Sequence, residues 1–231
     1  MIWRAVITVI VAGLFAMPAL AQNNRPGIVV AVPGLYRSLE PIDGNSTDSQ
    51  RIISNVYDPI IDRNYAEDPE GGELREALVT KWERVNDLTW RFTIRDGVKF
   101  HNGQTMTAED VAFTLSAERI WGENALVPAG TRYTESFARV EAIDEKTVEV
   151  ETTIPDPNLP YRFVTPLGMV VPKAHYLEVG VEKFGQMPIG TGPYKVVEFD
   201  PASHVKLEAF DDYWGGQPPL KSVEFRIVPE F

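Results

Sequence analysis

The sequence predicts an α/β protein whose sheets cannot be purely parallel, and three observations carry that prediction. The run "TWRFTI" sets Trp90, Phe92 and Ile94 against Thr89, Arg91 and Thr93, the period of a strand with one buried face. "FARVEAIDEKTVEVET" reads as two strands joined at Asp144, Glu145 and Lys146, a hairpin that an all-parallel sheet excludes. Helical segments with polar starts lie between such strands, at 47–57 and again after Thr107.

In chain order, "GIVVAV" from Gly27 is a buried-strand signal, and the irregular "PGLYRSLEPIDGNS" follows it. Segment 47–57 places Ile52, Ile53 and Val56 on one side of a helix. Next comes "RDGVKFHNGQTMTAEDVAFTL", in which Asp96-Gly97 and Asn102-Gly103 are turn dipeptides suited to positive φ at the glycine and bracket a short strand "VKF". Thr107 opens a helix: its hydroxyl is placed to accept from an orphan backbone N–H, Glu109 and Asp110 oppose the dipole, and Val111 and Leu115 face inward together. After the hairpin come the apolar "GMVV", a short helix over 173–178, and three strands, "YKVVEF", "HVKLEAF" and "KSVEFRIV". Gly190, Thr191 and Gly192 form a tight re-entry before the first of these. Tyr213 and Trp214 belong to a packed aromatic turn.

Composition removes several function classes. The 231 residues are 44% hydrophobic, enough for a core, and carry 33 acids against 22 bases for a formal charge of −11. That balance argues against a nucleic-acid or anionic-membrane surface. Cysteine is absent, so disulfides, thiolate metal sites and cysteine nucleophiles are excluded. Residues 1–21 read as a secretory leader, with Arg4 before an apolar run and Ala19-Leu20-Ala21 as the cleavage site, which sends the protein to the periplasm with no membrane span left after cleavage. No catalytic set emerges. Glu109 and Asp110 are adjacent on a helix and diverge by about 100°, and His101, a turn histidine expected to be solvated, has no serine or cysteine partner nearby. "IGTGPY" lacks the Lys-Ser/Thr pair of a phosphate loop. Asp211 and Asp212 supply too few oxygens for calcium, and His101, His175 and His204 have no ligand spacing, so neither a metal nor a cofactor is expected.

Three motifs in order, "WRFTIRDGVKFHNGQTMTAEDVAFTL", "PIGTGPYKVVEF" and "AFDDYWGGQPPLKSVEFRIVP", closely resemble the family 5 extracellular solute-binding proteins of peptide, nickel and related ABC importers. The resemblance runs from about Gly27 to the last residue. It implies a type II periplasmic binding protein-like fold with the family's extra subdomain: 22–44 and 186–231 would form an incomplete central sheet of the first lobe, and 45–185 the extra α/β subdomain. Family members are about twice as long, so the resemblance implies a chain truncated before the second lobe at "VPEF". The function it implies is non-enzymatic: binding a peptide or peptide-sized polar solute and delivering it to the membrane subunits of an ABC permease. A nickel-type metal-complex binder and a secreted hydrolase of peptides or glycosides are the alternatives. In such folds the loop after the first strand lies at the cleft, which points to Tyr36, Arg37, Ser38 and Leu39 as ligand contacts, with Trp121 closing one side.

Overall fold

The computed structural model describes residues 25–43 and 46–228. The expected leader at 1–21, Gln22 and the 44/45 boundary lie outside them. The first half of the chain gives β1 (Gly27–Val32), α1 (Thr47–Val56), β2 (Ile61–Arg63), β3 (Leu74–Glu76), β4 (Val79–Arg84), β5 (Thr89–Ile94) and α2 (Ala108–Thr114). The second half gives β6 (Phe137–Ala142), β7 (Thr147–Thr152), α3 (Leu159–Arg162), α4 (Lys173–Gln186), β8 (Tyr194–Asp200), β9 (His204–Ala209) and β10 (Ser222–Ile227). No helix among the described residues is long and apolar enough to cross a membrane.

Two four-stranded sheets result. The first has the order β1-β10-β9-β8, with β1 parallel to β10 and the other pairs antiparallel. The second is antiparallel throughout, in the order β4-β5-β7-β6. Alternation puts Phe92, Ile94, Val148 and Val150 on the inner face of the second sheet, where α2 packs. On its outer face the directly opposed Arg91 and Glu149 pair at 2.6 Å. The small antiparallel pair β2-β3 completes the strands.

The sequence expectations meet this fold unevenly. Positive φ occurs at Gly97 (72°) and Gly103 (85°), so both turns require glycine as expected. At Thr107 a reciprocal cap forms with Asp110, whose Oδ2 accepts from the Thr107 N–H at 2.9 Å and from its hydroxyl at 2.8 Å. "VKF" is not a strand: the two turns leave room only for a single bridge between Lys99 and Thr105. The helix expected at 173–178 is the first part of α4, which ends at Gly180 (φ 78°, ψ 165°), and a second helical part follows to Gln186. β1 is not buried. Among the described residues it pairs only with β10, and Ile28 and Val29 are 42% and 59% exposed, because an apolar run specifies a strand without specifying neighbours on both sides. In β4 a bulge between Val79 and Lys81 breaks the strand period, which hides the strand in the sequence.

His101 corrects the expectation of a solvated turn residue. Its Nδ1 accepts from the Gly190 N–H at 3.3 Å, which makes Nε2 the donor to the Gly192 carbonyl at 2.9 Å. The ring also stands edge-on to Phe210, centroids 5.1 Å apart. Burial pushes its pKa down to about 4, so the imidazole is neutral. From the other side the same re-entry turn meets the end of α1. A side chain at Gly190 would sit 2.1 Å from the Val56 carbonyl oxygen, and one at Gly192 2.6 Å from the Val56 carbonyl carbon. Thr191 Oγ1 accepts from the Asp58 N–H at 3.3 Å. The Asp58 carboxylate in turn accepts from Tyr213 Oη at 2.9 Å and Trp214 Nε1 at 2.7 Å, giving the aromatic turn its packing partner. Burial raises Asp58 to about 6, with those hydrogen bonds opposing the rise.

A candidate ligand-binding cleft

The loop after β1 turns inward instead of running over the surface. Leu39 is 1% exposed and its N–H donates to the Gly185 carbonyl at 2.7 Å, docking the loop on the last turn of α4. Glycine at 185 is what permits the approach, since a side chain there would lie 2.4 Å from Ser38 Oγ. The loop then places Glu40 in the interior, fully buried.

Glu40 organises its surroundings. Its Oε2 accepts from the N–H groups of Ile42 and Asp43, each at 2.7 Å. Its Oε1 contacts Arg119 Nη2 at 2.5 Å and accepts from Tyr176 Oη at 3.3 Å. Arg119, equally buried, sits on a five-residue π turn, 117–121, closed by the Gly122 N–H bonding the Ala117 carbonyl at 2.7 Å. Its Nη1 donates to the Thr114 carbonyl at 2.7 Å, and its carbon stands 5.4 Å over the Tyr176 ring. Burial acts to lower the Arg119 pKa, but the Glu40 charge and the hydrogen bonds of Glu40 and Tyr176 outweigh it and hold the guanidinium above its ordinary value. Burial followed by the Glu40 charge raises the Tyr176 hydroxyl, which stays a donor.

Above this cluster opens a cleft of about 590 Å³ with three walls. Arg37, Ser38 and Asp43 come from the loop after β1, Leu126, Val127, Pro128 and Ala129 from the segment beyond the π turn, and Val181, Glu182 and Gln186 from α4, with Pro201 at the rim. An exposed cation and two carboxylates therefore face an apolar strip, a lining suited to an amphipathic solute carrying both charges.

The five residues expected from sequence separate here. Arg37 and Ser38 line the cleft. Tyr36 is half-buried beside it, with the Arg37 guanidinium carbon 5.9 Å from its ring centre. Leu39 packs in the core beneath the loop and presents no lining surface. Trp121 is a packing residue: its indole N–H donates to the Leu115 carbonyl at 2.8 Å and its ring meets Phe137 edge-on at 6.5 Å. The segment that Trp121 begins does supply a wall, but through 126–129, five to eight residues further along. Asp43, Glu182 and Gln186 were not anticipated.

A mixed sheet led by β1, with a second antiparallel sheet set into the chain between β1 and β8, is the architecture of part of a periplasmic binding protein-like fold. The chain belongs to the bacterial extracellular solute-binding proteins, family 5, whose middle portion matches residues 73–231. The glutathione-binding protein GsiB of Pectobacterium atrosepticum is 28% identical over 225 residues, covering 95% of this chain and 41% of that protein. The HTH-type transcriptional regulator SgrR of the same organism is 28% identical over 197 residues, 84% of this chain and 32% of the regulator. Among solved structures, the oligopeptide-binding protein AppA of Bacillus subtilis, in complex with a nonapeptide, superposes with a TM-score of 0.76 at 25% identity, covering 87% of this chain and 40% of that one. The chain thus spans 32–41% of the length of these relatives.

Proposed function

We propose that this chain acts in an ABC importer as part of its periplasmic substrate-binding component, taking up a peptide or peptide-sized polar solute in the three-walled cleft and passing it to the permease. The sheet led by β1 is the core of the first lobe in this reading, and 45–185 the extra subdomain. The observation that carries the proposal is the cleft lining: Arg37 meets a carboxylate, Asp43 and Glu182 meet an ammonium, and the strip 126–129 takes apolar side chains between them. GsiB and AppA, each similar over most of this chain, are described as binding glutathione and a nonapeptide. Membership in a family of solute-binding proteins favours binding over catalysis in this reading.

Photolabelling tests this. A pool of photoreactive tripeptides and pentapeptides is expected to label 37–43, 126–129 and 181–186 saturably, to be displaced by unlabelled peptide, and to label weakly after Arg37→Ala. Labelling confined to other segments refutes the site, displacement by a metal complex and not by peptide moves the ligand class, and cleaved peptide restores the hydrolase alternative. The likeness to SgrR favours a second reading, in which the same module senses a solute within a regulator. Export separates the two: mature protein beginning at Gln22 in the periplasmic fraction supports the importer, and intact Met1 in the cytoplasm supports the regulator.

A further inference from the structure

We infer that Glu40, Arg119 and Tyr176 are positioning residues of the cleft, a buried polar clasp that sets its three walls relative to one another. This deepens the reading of the cleft as the binding site and rests on it. The clasp touches each wall by a separate route. Through Oε2, Glu40 fixes the N–H groups of Ile42 and Asp43, and so the backbone that presents Asp43 to the cleft. The Arg119 carbonyl accepts from the Val127 N–H at 2.7 Å and that of Glu118 from the Leu126 N–H at 3.0 Å, so the π turn carries the apolar wall directly. Tyr176 lies on the part of α4 before the Gly180 break and packs its ring 4.6 Å from that of Phe184, on the part that carries Val181, Glu182 and Gln186, and Leu39 ties the loop to that second part at Gly185.

Stability alone does not account for such a cluster. A buried ion pair loses in desolvation most of what it gains in attraction, and apolar residues of similar volume commonly serve a core as well. What they cannot reproduce is direction. Glu40 joins four hydrogen-bond donors from three parts of the chain, and Arg119 is bound at both terminal nitrogens. Replacing the pair with leucine and methionine would keep the volume and free the walls to shift.

The test uses the whole chain and compares the double variant Glu40→Leu/Arg119→Met with Arg37→Ala. The double variant is expected to keep the cooperative unfolding of the wild type. Its amide exchange at 42–43 and 126–127 should rise by about tenfold or more, with β5 and β7 unchanged. Its peptide photolabelling should fall to the level of Arg37→Ala, whose own exchange stays that of the wild type. A folded double variant with wild-type exchange in these walls overturns the clasp. If the wild type takes no peptide label, the binding reading fails while exchange still decides the positioning. Should the double variant not fold, Glu40→Gln gives the answer, because the amide can satisfy Arg119 or the two N–H groups but not both. Exchange should then rise in one wall, and no rise in either refutes the inference.

Discussion

Asp58 and His101 grip the same three-residue turn from opposite sides and titrate in overlapping windows with opposite effects on stability. Asp58 rises from an ordinary 3.8 to about 6, and the folded state therefore binds its proton more tightly than the unfolded chain does. Its favourable contribution is complete below pH 3.8 and is lost as pH rises through about 6, an interval worth about 3 kcal/mol. His101 falls from 6.5 to about 4, so its contribution is complete above pH 6.5 and is lost as pH falls through about 4, again about 3 kcal/mol. The two nearly cancel between about pH 4 and 6.5, and the wild type conceals both.

Single substitutions should uncover them. Asp58→Asn removes the acid and leaves His101 alone, so stability relative to wild type should climb by about 3 kcal/mol from pH 4 to 6.5. His101→Gln keeps a nitrogen able to donate to the Gly192 carbonyl but does not titrate, and its stability relative to wild type should drop by a similar amount over the same range. Urea unfolding followed by tryptophan fluorescence at half-unit pH steps measures both slopes. The other carboxylates, among them Glu198 and Asp200, whose side-chain hydrogen bonds to Lys206 and Ser203 lower them, are common to all three proteins and drop out of the comparison. Variant curves parallel to the wild type would show that neither group is perturbed by burial, and the account of this junction would be wrong.

Three further outcomes follow from the packing. Thr107→Ala should cost about 1 kcal/mol by breaking the reciprocal cap with Asp110, seen as a lower denaturant midpoint, whereas Asp110→Asn should cost more, because Oδ1 also accepts from the Lys173 N–H at 2.9 Å and the amide nitrogen would face one of these donors. Gly190→Ala should cost about 3 kcal/mol or prevent folding, since the new methyl would lie 2.1 Å from a backbone oxygen; soluble yield and thermal midpoint report it. Trp121→Phe should leave peptide labelling near wild type while lowering stability by about 1 kcal/mol through the lost indole hydrogen bond, and a selective loss of labelling would return Trp121 to the binding surface.

What the sequence revealed and what it hid divide by the distance over which a residue finds its partner. The strands at 89–94 and 147–152 announce themselves through alternation, and the helix at α2 through Thr107 and its acids, because each signal is complete within a few residues. The exposure of β1 is not legible locally, since it depends on neighbours drawn from 222–227, which among the described residues flank it on one side. His101 looked solvated between Phe100 and Asn102 because the backbone it clamps lies about ninety positions away. Glu40 left one local trace, an acid set among Leu39, Pro41 and Ile42. Arg119, beside Ile120 and Trp121, has the local look of an ordinary helical charge, and only an acid 79 positions earlier makes it an interior residue. The same reasoning separates Arg37 and Ser38 from Asp43, Glu182 and Gln186 in the lining of the cleft. The first two follow from where a loop leaves a strand, a local fact, while the others line the cleft only because segments distant in sequence meet at one opening. If the cleft binds a solute, its selectivity is therefore set in part by residues that never touch that solute, and variation at Glu40 or Arg119 should alter ligand preference before it alters the fold.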